Sequence, residues 1–590
     1  MARVTQVARR SLAVHTRRRP PLPDTSPTPS ASIALSRRNL VAGALGGGAA
    51  LALASWPEAV AASAPFVHGV ASGDPLPDAV LLWTRVTPSV EAAPGSGIGS
   101  DVTVTWQVAR DEAFGQVVRQ GTAVATAAND HTLHVDATGL DPATSYFYRF
   151  QALGATSRVG RTRTAPAPGS TAPVRFGVVS CANYDWGYFQ PYKFLATRSD
   201  LHAVLHLGDY VYEYAPGGVI AGYPKNPRNA DPLHECTTLE DYRVRHGCYK
   251  LEQNLQDLHA AHPMIAVWDD HEIANDTWRE GAENHDPAAE GDWATRATAG
   301  RRAFLDWLPI RHTDPDDWAR INRRLAFGQQ VDLWMLDERR FRTQPPKSLL
   351  LGYGALGGLL GGTSGDPDGS MIGDDQEHWL VQGLSASTAR WKVLGNQVPF
   401  FPQNIGPQLP QQITRLLGPA LSDKLEDPLL QLYVEDWNGF LDQRQRIVDG
   451  MAGISDVVVL TGDVHQSFAS EIPVRPSNYL LDRRSAAVEY VTPGVASPSL
   501  QTMINQVAPG IGTLLDVLLT ANNTLSNPWL KYAEGFKTGC MIVDFSTQRV
   551  QSDWFLVDKG TDPGSPVRWA ASRQTVAGSR RVTTAAKALV

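Results

Sequence analysis

Residues 203–214, AVLHLGDYVYEY, set a carboxylate and a phenol three positions apart just past a short apolar run. The run at 203–207 reads as a buried strand ended by Gly208, so Asp209 and Tyr212 stand at its carboxyl end. In open α/β sheets ligands bind at that edge. Carboxylate oxygens can bridge two cations and a phenol ionises on a hard trivalent one, which reads as the centre of a metal site. An isolated GDxxY would equally be a turn with a solvated Asp and a packed Tyr. Three further strand ends change that reading. Ser180-Cys181-Ala182-Asn183 follows VRFGVV, Asp269-Asp270-His271-Glu272 follows the run at 264–268 with Asn275 close behind, and Gly462-Asp463-Val464-His465 follows VVVLT. Gathering so many acidic groups at one sheet edge is prohibitive unless cations neutralise them.

In identity and order, GDxxY, DDHE and GDxH resemble the metallophosphoesterase motifs. Asp209 and Tyr212 match the GDxxY of purple acid phosphatases. Asp270-His271-Glu272 stands where that superfamily has Asn-His-Glu or Asn-His-Asp, and Asp463-Val464-His465 where it has His-x-His. Cys181 falls at the first Asp of its DxH motif and Asn183 at the His. These departures together resemble the PhoD-like alkaline phosphatases and phosphodiesterases. The opening FVHGVASGDPLPDAVLLWTRV is similar to the start of that family's N-terminal β-domain, and the resemblance covers 66–557.

The resemblance implies an α/β fold, the αββα metallophosphoesterase sandwich, preceded by an antiparallel β-sandwich domain. It implies one iron(III) and two calcium ions. Cys181, Asp209, Tyr212 and His465 would bind the iron, and Asp209 would bridge to the first calcium with Asp270 and Asp463. Thiolate and phenolate donors hold the trivalent state, so iron here is expected as a Lewis acid. Carboxylates in place of the superfamily's Asn and His make the second pocket oxygen-rich, which favours calcium over zinc. Asn275 is a candidate for the remaining calcium, and Asn396, in LGNQVPF, stands where many relatives place a further His.

The implied activity is a secreted phosphoester hydrolase for mono- or diesters, with a metal-bridging oxide or hydroxide as nucleophile. His271 is placed to protonate or hydrogen-bond the leaving oxygen. Arg339 and Arg342, in LDERRFR, are read either as planar forks for phosphate or as ion-pair partners of Asp337 or Glu338. Trp186 and Trp278 would wall the cleft or simply pack.

Elements that must position these groups are legible along the chain. AVLLWTRV, VTVTWQVAR, HTLHVDATGL and TSYFYRFQAL are short β-branched or alternating runs between turn residues, so 65–166 reads as a β-sandwich, with Trp83 and Trp106 in its core. PAPGSTAP at 166–173 is a linker by composition. From 173 to 557 apolar runs alternate with helical stretches, which argues for βαβ units, and 558–590 reads as a C-terminal tail. Two insertions interrupt the rhythm, Gly-rich at 347–373 and Pro/Leu-rich at 399–430, each either a binding loop or a surface elaboration.

The 590 residues are 43% hydrophobic and 19% charged with a net charge of -7, and no basic cluster in the body of the chain suggests nucleic acid. Arg37 and Arg38 precede a mild Ala/Gly/Leu run and an Ala-rich stretch, so 1–64 reads as a twin-arginine signal region, with the export machinery as partner. A mitochondrial-type presequence is the competing reading. A secreted monomer is expected. Of the four cysteines, Cys236 and Cys248 are close enough in sequence to suggest a disulfide. Competing functions are a phospholipase D-like phosphodiesterase using 399–430 as a lipid-facing lip, an exported binding protein with structural metals, and an oxidative iron enzyme.

Overall fold

The computed structural model describes residues 65–216, 227–312, 314–345, 369–403, 435–499 and 527–589, with residues 502, 510 and 513. The signal region at 1–64 and the two insertions, except 369–373 and 399–403, lie outside the described residues.

Three sheets organise the described chain. The first has ten strands in the order β22 (Thr583–Thr584), β21 (Val567–Val576), β20 (Arg549–Val557), β19 (Gly539–Phe545), β9 (Val174–Val179), β10 (Ala203–His206), β11 (Pro263–Ala266), β1 (Val70–Gly73), β2 (Ala79–Arg85) and β5 (Thr132–Thr138). The second has seven: β12 (Arg323–Phe327), β13 (Val331–Met335), β14 (Trp391–Gly395), β15 (Val457–Thr461), β17 (Ser485–Val491), β16 (Ser467–Pro473) and β18 (Leu530–Glu534). The third joins β4 (Val117–Ala125), β3 (Val102–Ala109), β6 (Ser145–Ala152) and β7 (Ala155–Thr156), with β8 (Gly160–Arg163) on β6.

The central strands are parallel: β9, β10 and β11 in the first sheet, and β13, β14, β15 and β17 in the second. Every residue of β10, β11, β13, β14 and β15 is buried, as expected of strands covered on both faces. Alternation along β9 shows how. Phe176 meets Phe327 and Phe545 at ring distances of 4.9 and 6.0 Å, while a Cβ at Gly177 would touch Leu195 and Leu201. One face of the first sheet thus packs on the second, and the other carries helix α1 (Gln190–Ala196). Beyond the second sheet, Leu380 and Leu384 of α2 (Asp374–Ala386) and Ile447, Val448 and Met451 of α3 (Leu441–Ala452) share a core with Trp334, Leu394 and Val459. The layering is αββα, as the resemblance implies.

The N-terminal sandwich is present but shares its frame. Val80, Leu82, Val135 and Ala137 of β2 and β5 form one core with Val104, Val108, Tyr146, Tyr148 and Phe150 of the third sheet. Yet β1 pairs in parallel with β11, Ser72 opposite Pro263, so half of the sandwich extends the first sheet. Gly73 permits that junction, because a Cβ there would lie 2.2 Å from the Pro309 carbonyl oxygen. Trp83 is fully buried against Trp307, and Trp106 is half-buried against the sandwich core. The stretch read as a tail contributes β21 and β22, which continue the first sheet through β20.

The expected disulfide is not formed: Cys236 and Cys248 are both free thiols. Cys248 stands in the last turn of the helix Leu239–Lys250, whereas Cys236 precedes its N-cap, Thr238. At about 1.5 Å per residue the helical rise from Leu239 to Cys248 is about 13 Å, against the roughly 6 Å of bridged Cα atoms.

Candidate metal centre

Each candidate donor lies just past the carboxyl end of a parallel strand: Cys181 after β9, Asp209 after β10, Asp269 to Glu272 after β11, and Asp463 and His465 after β15. A bridge between Ser180 and Gly494 ties the end of β9 to the loop after β17, so the two sheets meet at the site. Gly208 allows the first turn. Its φ is +109°, and a Cβ would lie 2.3 Å from the Asp269 Cβ. Glu272 locks two of the turns together, because its carboxylate accepts the N–H groups of Asp209 at 3.1 Å and Asp269 at 2.7 Å, and that of Tyr210. Cys181, Asp209, Asp463 and His465 have φ of +59, +55, +65 and +54°, left-handed backbone that costs such residues about 1 kcal/mol or more each. Strain repeated at four candidate donors points to function.

The donors form a continuous chain. Ligand atoms of Cys181, Asp209 and His465 lie within 4.8 Å of one another, as do those of Asp209, Asp270 and His271, and those of Asp269, Asp270 and Asp463. Asp209 and Asp270 each belong to two groups, so neighbouring cations would share carboxylates. Tyr212 completes the first group: its hydroxyl donates to Asp209 Oδ2 at 2.9 Å, accepts from Ser497 Oγ at 2.8 Å, and lies 3.2 Å from His465 Nε2. His465 Nδ1 is 3.0 Å from the Pro498 carbonyl. A carbonyl only accepts, so Nδ1 carries the proton and Nε2 keeps its lone pair toward the site.

Charge fits the same reading. Burial, reinforced by neighbouring carboxylates, pushes Asp209, Asp463, Tyr212 and the Cys181 thiol well above their ordinary ranges. Burial also lowers His465 to about 4, leaving it neutral. Asp270 differs, since Arg339 and His271 outweigh its burial and hold it low. Buried Asp209 Oδ1 and Asp269 Oδ2 have no hydrogen-bond partner among the described residues. A cation supplies what these atoms lack and returns the acids to their anionic forms. The residues therefore fit a metal centre.

Stability of the chelated protein should follow from these shifts. Raised folded-state values make a contribution that is full below the unfolded carboxyl range, near pH 4, and lost as pH rises. Asp269 is pushed up to about 6 and Glu272 to about 8, chiefly by burial, so the loss runs from about pH 4 to pH 8. The lowered Asp270 opposes this only in strong acid. Denaturant midpoints of chelated protein are expected to fall between pH 5 and pH 8 while those of metal-loaded protein do not; parallel curves would refute the site.

His271 Nδ1 sits 2.8 Å from Glu213 Oε2, and its ring stacks on Tyr212 at 4.2 Å. Burial lowers its pKa, but Asp270, Glu213 and Asp209 overcome that and raise it well above the ordinary histidine range. Arg339 is buried among carboxylates: Nε donates to Asp269, while Nη2 lies 3.4 Å from Asp270 Oδ1 and 3.8 Å from Asp463 Oδ1. Neither Arg339 nor Arg342 pairs through its guanidinium with Asp337 or Glu338, whose carboxylates take Trp268 and Trp437 indole N–H groups and backbone amides. Arg342 Nη1 donates to the Glu435 carbonyl at 2.9 Å, and its buried Nε and Nη2 have no hydrogen-bond partner among the described residues.

The other expected residues are held by hydrogen bonds and packing. Asn275 donates from its amide to Asp276 and Glu283 and from its backbone to Glu213. Asn396 Nδ2 donates to the Val398 carbonyl, and Asn183 Oδ1 accepts the Asp185 amide at 3.0 Å. Trp186 stands 6.3 Å from the Tyr212 ring, and Trp278 pairs by backbone with Gly281. Sequence reasoning missed Glu213, Asp269 as a donor, and Ser497 and Pro498. Glu213 lay inside the opening motif, four residues after Asp209, where a carboxylate reads as solvated; nothing marks Ser497 and Pro498 in one sequence.

Two packed sheets with thiol, carboxylate, phenol and imidazole donors at their strand ends define a metallophosphoesterase fold. Residues 176–554 match the PhoD-like phosphatase family and 50–166 its N-terminal domain. The chain is 35% identical over 430 residues to alkaline phosphatase D of Bacillus subtilis (strain 168), a match that covers 70% of this chain and 66% of that relative, just under two thirds of its length. A solved structure of PhoD superposes with a TM-score of 0.73 at 29% identity, over 90% of this chain and 94% of that one. The chain belongs to the PhoD-like phosphatase family.

Proposed function

We propose that this protein is an exported, metal-dependent hydrolase of phosphate mono- or diesters. The observation that carries the reading is the run of three donor groups joined through Asp209 and Asp270. One iron(III) would be held by Cys181, Asp209, Tyr212 and His465. Two calcium ions would take the carboxylates of Asp209, Asp269, Asp270 and Asp463, with Asn275 as a further candidate. When bound, such cations neutralise ester oxygens and activate water for in-line attack at phosphorus.

The chain's own groups do the rest. Glu213 accepts from His271 Nδ1 and fixes the ring, so Nε2 faces the site as the proton donor to the leaving oxygen. Arg342 offers Nε and Nη2 as a fork for a non-bridging oxygen. Arg339 balances the carboxylates that it touches and holds them in register.

Elemental analysis with a visible spectrum tests the metals. Tyrosinate on ferric iron is expected to colour the protein violet, with calcium in excess over iron, and Tyr212→Phe should bleach the band while iron is retained. A colourless, metal-free preparation active at full rate would end this reading. Release of nitrophenol from bis and mono esters ranks the substrates, and turnover of phosphatidylcholine would favour the phospholipase D-like alternative.

Export rests on Arg37 and Arg38, which lie outside the described residues. Replacing both with Lys is expected to retain the protein inside the cell, and unimpaired export would dismiss the twin-arginine route.

A further inference from the structure

Far from the donors, the turn between β16 and β17 carries RPSNYLLDRR at 475–484. Leu480 and Leu481 are 64% and 88% exposed, and no large apolar side chain among the described residues is more exposed than Leu481. The turn is not loose. Tyr479 is fully buried beneath it, donates to Glu471 Oε2 and packs on Trp529. Cations surround that ring: Arg483 and Lys531 each lie 5.4 Å from its centroid and Arg581 lies 6.0 Å away. Arg484 is exposed beside them. Arg581 is paired with Glu471 and Arg475 with Asp449, whereas Arg483, Arg484 and Lys531 form no ion pair among the described residues. The nearest acid in sequence, Asp482, accepts the Arg484 backbone N–H at 2.9 Å.

We infer that the Leu480–Leu481 turn, with Arg483, Arg484, Arg581 and Lys531 around it, docks on an anionic phospholipid bilayer. Two projecting leucines suit the boundary between headgroups and acyl chains, and guanidinium groups fork onto lipid phosphates. The chain's net charge is -7, so this local excess of cations opposes the overall charge and is where an anionic surface would be met. Placement adds a consequence. β16 begins at Ser467, just after His465, and runs seven residues away from the metal centre, about 20 Å at strand rise. β17 returns over the same span to the loop that bridges to Ser180. Docking by this turn therefore leaves the metal centre facing water. The site would stay open to soluble esters, and the inference stands independently of the hydrolytic reading.

The test is sedimentation of the full-length protein with vesicles of phosphatidylglycerol or of phosphatidylcholine. Binding is expected to favour phosphatidylglycerol by about tenfold or more at low ionic strength and to weaken with salt. Arg483→Gln and Arg484→Gln should each weaken it about fivefold, and Leu480→Ser with Leu481→Ser by at least tenfold. Thermal midpoint and nitrophenyl ester hydrolysis should stay at parental values, since these side chains are exposed and remote. Equal binding to both vesicle types, or leucine variants that bind like the parent, would overturn the inference. So would a parental dimer that the leucine variants dissolve in the absence of any vesicle binding, because a second copy would then be the occupant.

Discussion

Asp209→Asn is expected to lower kcat/KM on nitrophenyl phosphate esters by about 10³-fold or more. Asp209 is the one side chain common to the Cys181/His465 group and the Asp270/His271 group. Asn keeps the size, and its carbonyl still accepts the Tyr212 hydroxyl that Asp209 Oδ2 accepts at 2.9 Å. The charge and the second anionic oxygen are lost, and Oδ1 is buried with no hydrogen-bond partner among the described residues. Bound metal should fall with activity. Chelated Asp209→Asn should be at least as stable as chelated parent at neutral pH, because burial already disfavours this carboxylate. A structural role predicts the reverse: destabilisation with little loss of turnover. Full metal content with activity within tenfold of the parent would defeat the bridging assignment.

His271→Ala is expected to reduce kcat by about 10²- to 10⁴-fold, and to do so unequally. A proton donor matters most when the leaving alkoxide is poor, so alkyl esters should suffer more than nitrophenyl esters. The 2.8 Å contact with Glu213 fixes which nitrogen faces the substrate, and Glu213→Gln should reproduce part of this discrimination at a loss of about 10-fold or more. Because Glu213 also accepts the Asn275 amide, its variant needs a stability measurement beside the kinetics. Equal losses on good and poor leaving groups would remove His271 from the proton-transfer step and leave it a ligand of the second donor group.

The donors were legible because acids at strand ends are rare in proportion to their cost. Cys181, Asp209, Tyr212, Asp270, Asp463 and His465 each follow an apolar run that ends abruptly, and all six meet in the structure. The resemblance to PhoD-like enzymes implied the layering. Arg339 was harder to read. LDERRFR announces cations near acids, but only packing shows that the forks bypass Asp337 and Glu338, leaving Arg339 on Asp269 and Asp270. Glu213 and Ser497 were invisible for a related reason, since a carboxylate or hydroxyl acquires its role from what faces it across the fold.

By itself the sequence determined which residue types stand at which strand ends, because the hydrophobic period and its interruption are local properties. It likewise determined the order of the motifs and the presence of a leading β-rich segment. Tertiary structure alone decided that β1 pairs with β11 and makes the sandwich part of the main sheet. It also decided that β21 and β22 prolong that sheet and that Cys248, in a helix, and Cys236, before it, stay free thiols. Those outcomes depend on pairing and close approach between segments far apart in the chain, such as Gly73 against Pro309, and no local pattern records them.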